Sequence, residues 1–273
     1  MQNVQDRAYT GLASDYRKAR PTYPAEMAKA IAAFAGDILG PGATVVDVGA
    51  GTGISTFAIL SALPSGTAAV GIEPNADMRA QAMAATPAGL DTTFIAGAAD
   101  DLKLGDEEAS MVTTGQAIQW FDRPKFYAEV ARVLRPGGVL AVFENNRDWQ
   151  RSGLLEEHET FLETHAVRGD GSRYSRFYRD HPYAQELFRL FGNVVASQFT
   201  WTREMTVDDF VTMAKSSTQV QAAISQIGED GTVQSIRGYC EKYANASGLL
   251  QIPYVTELYL TAKTEPQSGF SGD

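Results

Sequence analysis

The chain has 273 residues, a length that one α/β domain with a small additional substructure can fill. Apolar residues make up 44% of the sequence and charged residues 21%, values typical of globular proteins, which excludes wholesale disorder. The formal net charge of -10, without any Lys/Arg run, argues against nucleic acid and anionic membranes as partners.

The cysteine content and the N-terminus set the expected compartment. The single cysteine, Cys240, cannot form an internal disulfide, and we expect it to be a packing residue. The first ten residues are polar and lack the basic and apolar pattern of a signal peptide, and no apolar run reaches membrane-spanning length. We therefore expect a cytoplasmic protein, either a monomer or a homodimer, that contacts no membrane.

Strand and helix patterns alternate five times over the first 145 residues. Short apolar runs predict strands over residues 44–48, 68–72, 92–96, 110–114 and 139–143. Apolar residues at helical spacing predict helices over 27–34, 53–63, 75–85 and 126–134. This alternation predicts an α/β fold with a parallel sheet covered by helices on both faces.

The pattern changes after Asn146. We predict an acidic helix over 154–166, a loop or lid over 169–183, strands over 193–202 and 254–262, and between them helices over 207–215, 220–227 and 232–244. Residues 1–145 then form a core with an N-terminal lid helix. Residues 146–264 form a cap with the closing strands, and residues 265–273 form a flexible tail.

The most informative motif joins the first strand to the following helix. It is the segment Asp47-Val48-Gly49-Ala50-Gly51-Thr52-Gly53. Glycines let the backbone turn tightly and approach a ligand where a Cβ would clash, and the helix start offers unpaired N–H groups. Alone, the motif is also compatible with a plain strand-to-helix turn. Its spacing differs from that of dinucleotide sites.

A carboxylate strengthens the case for a nucleoside ligand. Glu73 ends the second predicted strand, 20 residues after Gly53. Because carboxyl ends of neighbouring strands face one crevice in a doubly wound sheet, Glu73 is placed to accept hydrogen bonds from ribose hydroxyls. The alternative is an exposed acid at a strand end.

Four parts of the sequence together resemble the motifs of the class I S-adenosylmethionine-dependent methyltransferases. They are Asp47–Gly53, Glu73, Phe94–Leu102 and Arg132–Leu140. The resemblance implies a Rossmann-like, seven-stranded, mostly parallel sheet in the order 3-2-1-4-5-7-6, with a small helical cap. It also implies S-adenosyl-L-methionine as cofactor and S-adenosyl-L-homocysteine as product. The segments Asp15–Pro24 and Gln116–Asp122 are similar to trans-aconitate methyltransferase-like proteins, a branch that methylates small acids and other small metabolites.

The same resemblance implies which residues bind the cofactor. Asp47 orders the glycine loop near the methionine amino group, the loop backbone approaches the methionine part and the ribose, and Ala99 meets the adenine through its backbone. Tyr16 and Arg20 close over the cofactor. The full expected set is Tyr16, Arg20, Asp47, Gly49, Ala50, Gly51, Glu73, Pro74, Ala98, Ala99, Asp100, Gly115 and Gln116.

The sequence departs from its relatives at two positions. Ala98 stands where relatives often carry an acid, so adenine selection has to come from Asp100, Asp101 or the backbone. Gln119 stands where relatives often carry a histidine, and a glutamine can orient a substrate but cannot take a proton at neutral pH. No catalytic residue is assigned, and Gln119 and Trp120 are the candidates for positioning.

The acceptor-binding residues are predicted only by residue type. Aromatic rings shape flat pockets and a guanidinium holds a carboxylate, so the candidates are Trp120, Trp149, Arg173, Tyr174, Arg176, Tyr178 and Trp201. For each aromatic the alternative is core packing, and for each arginine a solvated charge. His158 and His165 are seven residues apart on the acidic helix, and we expect them on an exposed face. We predict no metal site.

A small-molecule methyltransferase, acting on O or N of a carboxylate or heterocycle, is the interpretation that these patterns favour. Two alternatives stay open: a methyltransferase acting on a macromolecule, and a methyltransferase fold that binds the cofactor without methylating.

Overall fold

The computed structural model describes residues 17, 20–167, 169, 171–177 and 181–264. Their strands are β1 (Thr44–Val48), β2 (Ala68–Ile72), β3 (Thr92–Ile95), β4 (Ala109–Gly115), β5 (Leu134–Arg147), β6 (Val195–Thr206) and β7 (Leu249–Ala262). Their helices are α1 (Ala25–Ala35), α2 (Ile54–Leu60), α3 (Ala76–Ala84), α4 (Arg123–Val133), α5 (Gly153–His165), α6 (Tyr183–Phe191), α7 (Val207–Lys215), α8 (Thr218–Ile227) and α9 (Glu229–Tyr243).

The seven strands form one sheet in the order β3-β2-β1-β4-β5-β7-β6, which confirms the predicted topology. The pairs β3–β2, β2–β1, β1–β4 and β4–β5 are parallel. The crossover between β3 and β4 makes β1 and β4 neighbours in the sheet. Strand order reverses at this point, and doubly wound sheets bind ligands there, outside the carboxyl ends of the strands.

The central strands are buried on both of their faces. Every residue of β4 is buried, its hydroxyl residues Ser110, Thr113 and Thr114 included, and Val45, Val46 and Val48 of β1 are at most 2% exposed. Burial along the whole strand, rather than at alternate residues, is typical of parallel strands with helices on both sides.

Contacts divide the chain into two compact units. The core unit comprises Thr22–Glu144, Pro182–Ser197 and the described residues from Glu257 onward. The cap unit comprises Asn145–His181, Gln198–Thr256 and the described residues before Thr22. The predicted division of the chain at residue 145 and the predicted N-terminal lid helix stay predictions.

Each unit has its own apolar cluster. In the core unit, Val46, Ile72, Phe126, Val130 and Leu140 are among the buried side chains. In the cap unit the cluster draws on α5, α7, α8, α9 and β7, and it includes Leu155, Phe210, Ile236 and Leu250.

Cys240 and His158 are among the fully buried side chains of the cap unit. Cys240 packs in the cap cluster, and burial raises its pKa to about 12, so it is an unreactive thiol. The prediction that His158 lies on an exposed helix face is wrong, because His158 is 0% exposed. No helix among the described residues is both long enough and apolar enough to cross a membrane.

Candidate cofactor site

The glycine loop after β1 is a left-handed turn held against β2. Gly49, Gly51 and Gly53 have φ of 72°, 54° and 81°. These values are strained for any residue with a Cβ. The N–H groups of Gly49 and Ala50 both donate to the carbonyl of Ile72, at 2.9 and 3.1 Å. The loop conformation is therefore fixed by backbone bonds to the neighbouring strand.

The three glycines have different surroundings. A Cβ on Gly49 would lie 2.4 Å from the Cβ of Ala117, and one on Gly53 would lie 2.6 Å from the ring of Phe57. At Gly51 the nearest described atom is the carbonyl oxygen of Gly49, at 4.0 Å. Packing thus requires glycine at the first and third positions, whereas at Gly51 the described residues leave the Cβ position uncrowded.

Glu73 faces the glycine loop, as the ribose assignment requires. Its Oε2 accepts from the N–H of Gly51 at 3.0 Å, and its Oε1 accepts from the N–H of Asn75 at 2.9 Å. The side chain is almost buried, at 9% exposure. Each carboxylate oxygen can accept more than one hydrogen bond, so this arrangement fits ribose hydroxyls beside Gly51. Pro74, which follows, is exposed.

The start of α3 fixes the segment that carries Glu73. The Oδ1 of Asn75 accepts from the N–H groups of Asp77 and Met78 at 2.9 and 3.0 Å, which caps the helix. The Nη1 of Arg79 donates to the backbone carbonyls of both Glu73 and Pro74, each at 2.7 Å. These bonds hold the strand end and its carboxylate in one orientation.

Asp47 connects β1 to two other elements through hydroxyl groups. Its Oδ2 accepts from Ser55 at 2.7 Å and Thr56 at 2.6 Å, and its Oδ1 accepts from Thr113 of β4 at 2.8 Å. Burial raises the pKa of Asp47, and the hydroxyl donors oppose that rise. The carboxylate therefore orders the first turn of α2. These hydroxyl partners were not predicted, although Ser55 and Thr56 directly follow the glycine loop and Thr113 lies in β4.

The turn after β3 presents the predicted adenine residues. Ala98 and Asp101 exchange backbone bonds, with N···O distances of 3.0 and 3.4 Å. The N–H of Leu102 donates to Glu129 Oε1 at 3.0 Å, which anchors the turn to α4. Ala99, at the tip, is half-buried, and Asp100 is exposed.

The turn after β4 contains an unusual backbone conformation. Gln116 has φ 56°, a left-handed value that is uncommon for a residue with a side chain. Its N–H donates to Phe143 at 3.1 Å, and its carbonyl accepts from Nε2 of Gln119 at 3.0 Å. Gly115 is required by packing, since a Cβ there would lie 2.5 Å from the ring of Phe143. Trp120, at the end of this turn, is 47% exposed.

Some predicted cofactor residues are not in the core unit. Arg20 is half-buried and belongs to the cap unit. Tyr16 lies outside the described residues, as does Tyr178 of the acceptor set. The role of Tyr16 and Arg20 in closing over the cofactor stays a prediction.

The predicted acceptor residues of the cap unit mostly have structural partners. Trp201 stacks on Tyr254 with ring centroids 4.6 Å apart, and its Nε1 donates to Thr256 at 2.9 Å. Tyr174 is buried and donates to Glu159 at 2.6 Å. These contacts are those of the packing alternative.

The two arginines of the acceptor set differ in exposure. Arg176 binds both carboxylate oxygens of Glu163, at 3.0 and 2.7 Å, and lies 4.8 Å from the ring centroid of half-buried Trp149. Arg173 is exposed and donates to the Thr164 carbonyl at 3.0 Å. Their part in binding an acceptor stays a prediction.

Comparison with known proteins identifies the family. A methyltransferase-domain model matches residues 46–142. A methyltransferase of Mycobacterium tuberculosis, itself uncharacterised, is 31% identical over 246 residues, 88% of this chain and 89% of the relative. One from Schizosaccharomyces pombe is 27% identical over 76% of this chain and 77% of the relative.

The fold comparison agrees. A candidate type II methyltransferase structure from Anaeromyxobacter dehalogenans has a TM-score of 0.66 at 19% identity, covering 90% of this chain and 99% of that one. Among the described residues, the uncrowded Cβ position of Gly51 and the adjacent Glu73 carboxylate fit an adenosyl ligand. The chain belongs to the class I methyltransferases and uses S-adenosylmethionine as its cofactor.

Proposed function

We propose that this protein transfers the methyl group of S-adenosylmethionine to an oxygen or nitrogen atom of a small molecule. The observation that carries the proposal is the pairing of Gly51 with the Glu73 carboxylate, whose Oε2 lies 3.0 Å from the Gly51 nitrogen. The nearest described atom to the Cβ position of Gly51 is 4.0 Å away. A small acceptor is supported by the net charge of -10 and by the similarity of 15–24 and 116–122 to the trans-aconitate methyltransferase-like branch.

The residues around the loop have distinct proposed roles. Glu73 accepts hydrogen bonds from both ribose hydroxyls, and the backbone of 49–51 lies against the methionine part. Ala99 meets the adenine through its N–H, with Asp100 beside it. Gln116, held in a left-handed conformation, flanks the methionine part together with Gly115.

The bound cofactor supplies an activated sulfonium methyl group, so the protein's task is to position the acceptor. Holding two reactants in an aligned geometry can lower a barrier by about 7–11 kcal/mol. Gln119 is suited to orienting an acceptor, because its amide is fixed by its bond to the Gln116 carbonyl. Gln119 itself cannot take a proton at neutral pH, so this position offers no base. We therefore propose an acceptor that reacts as an anion or releases its proton to solvent.

The test combines binding with turnover. S-adenosylhomocysteine is titrated into the protein by calorimetry, and radiolabelled S-adenosylmethionine is then incubated with panels of carboxylic acids and nitrogen heterocycles. We expect binding, and label in at least one acceptor. Binding without any labelled small molecule contradicts the proposed acceptor class, and label found only in added protein or RNA supports a macromolecular substrate instead.

A further inference from the structure

Arg147 is a partly buried cation in the cap unit that was not among the predicted site residues. It is the last residue of β5, and its side chain is 23% exposed. Its Nη1 lies 3.3 Å from Nε2 of His158, and its Nη2 lies 3.7 Å from Oε1 of Glu159. The guanidinium is thus placed by two side chains of α5.

Most of the hydrogen-bonding capacity of Arg147 is not met within the described part of the chain. A guanidinium has five N–H donors, and among the described residues the acceptor within hydrogen-bond distance is His158 Nε2. At 3.7 Å, Glu159 offsets charge without accepting a short bond.

Two other part-buried arginines show the contrast. Arg123 and Arg176 each direct Nε and Nη2 onto both oxygens of one glutamate, at 2.7–3.3 Å. Those pairs are closed structural forks. In contrast, no carboxylate of the described residues accepts hydrogen bonds from two nitrogens of the Arg147 guanidinium, which is held through Nη1 by His158.

The side chains that orient Arg147 are themselves fixed. Glu159 is 4% exposed and accepts from the hydroxyl of Tyr174 at 2.6 Å. His158 is fully buried, and its Nδ1 lies 2.6 Å from the hydroxyl of Tyr239. Because an arginine only donates, Nε2 of His158 has to accept, and Nδ1 then carries the proton toward Tyr239. Such support makes a binding group rigid before its ligand arrives.

We propose that Arg147 binds an oxyanion, a carboxylate or a phosphate group, with His158 and Glu159 as positioning residues. The planar guanidinium fork matches the two oxygens of either group. All three residues belong to the cap unit, so the anion site is built from that unit's own side chains.

The test is calorimetric titration of citrate, inorganic phosphate and acetate, each to high millimolar concentration, into the cofactor-free full-length protein. We expect the wild type to bind citrate or phosphate, and Arg147→Gln to weaken that binding by about tenfold or more. Arg147→Lys keeps the charge but loses the planar guanidinium, so its anion affinity should lie between those of the wild type and Arg147→Gln. If Arg147→Gln does not fold, Arg147→Lys is measured in its place. Binding of citrate but not phosphate identifies a carboxylate ligand, and binding of phosphate but not citrate identifies a phosphate ligand.

The matched control is Arg151→Gln, which removes the same charge from a side chain that is 64% exposed in the same unit. It should bind the anions as the wild type does. Each variant is also titrated with S-adenosylhomocysteine, whose affinity should be unchanged. Failure of the wild type to bind any of the three anions, or equal weakening by Arg147→Gln and Arg151→Gln, overturns the inference. Failure to bind S-adenosylhomocysteine instead contradicts the proposed function, and the anion titration remains interpretable.

Discussion

Replacing Gly51 with alanine separates ligand contact from folding at the glycine loop. At this position a Cβ would have Gly49 O, at 4.0 Å, as its nearest described neighbour. The added methyl group therefore has no atom of the described residues closer than 4.0 Å, and it projects into the space that we assign to the cofactor. Gly49→Ala is a different experiment, because its Cβ would lie 2.4 Å from that of Ala117 and would disturb the fold itself.

The expected magnitudes follow from these distances. The φ of 54° at Gly51 is left-handed, which costs a residue with a Cβ about 1–2 kcal/mol of unfolding free energy. Forcing a methyl group into a filled, well-packed site typically costs a further ~1–3 kcal/mol. If the cofactor fills the space, that second cost appears only in binding and lowers affinity about 5- to 150-fold.

A second glycine provides the control for backbone strain. Gly192, after α6, has φ 75°, and no described atom lies within 4 Å of its Cβ position. Gly192→Ala should lose a similar amount of stability in urea unfolding while binding S-adenosylhomocysteine as the wild type does in calorimetry. Wild-type affinity in Gly51→Ala would refute the assignment of that space to the cofactor.

Three further substitutions test other parts of the account. Glu73→Ala should weaken S-adenosylhomocysteine binding by about 1–3 kcal/mol in calorimetry, and a loss of thermal stability with unchanged affinity would make Glu73 a purely structural residue. Burial lowers the pKa of His158 well below 6.5, so on acidification the unfolded chain takes up the proton before the folded protein does. The unfolding free energy of the wild type should therefore decrease below pH 6.5, by up to ~1.4 kcal/mol per pH unit. Urea unfolding of His158→Gln should lack this decrease, and the same pH dependence in both proteins would contradict the buried, neutral state of His158. Burial raises the pKa of Asp47, so the contribution of this carboxyl group to the unfolding free energy should decrease as the pH rises from about 3.8 through the raised pKa. Asp47→Asn should become more stable relative to the wild type over that pH range. A difference in unfolding free energy that does not change with pH would count against the raised pKa.

Apolar patterning predicted most strands and helices, and it was least accurate at β5. The run over 139–143 indicated that strand, yet the structure extends it to Leu134–Arg147. Gly137 and Gly138, which looked like a turn, exchange backbone bonds with Lys263 at 2.9 and 2.8 Å. These partners lie more than a hundred residues away, so local sequence could not indicate the extension.

The candidate site shows the same division between local and long-range information. The glycine loop and Glu73 were predictable because a loop, a helix start and a strand end each have a local pattern. The surroundings of Arg147 were not, since His158 meets Tyr239 across 81 residues of sequence. Helical spacing placed His158 and His165 on one face of α5, but it could not show that α9 residues contact part of that face.

The most direct measurement of the central claim is a crystal structure of the protein with S-adenosylhomocysteine. We predict that both ribose hydroxyls lie within about 3.2 Å of the Glu73 carboxylate and that the homocysteine part covers the backbone at Gly51. A ligand bound away from the loop, or a loop crevice closed by side chains with Glu73 turned from the sugar, would contradict the account.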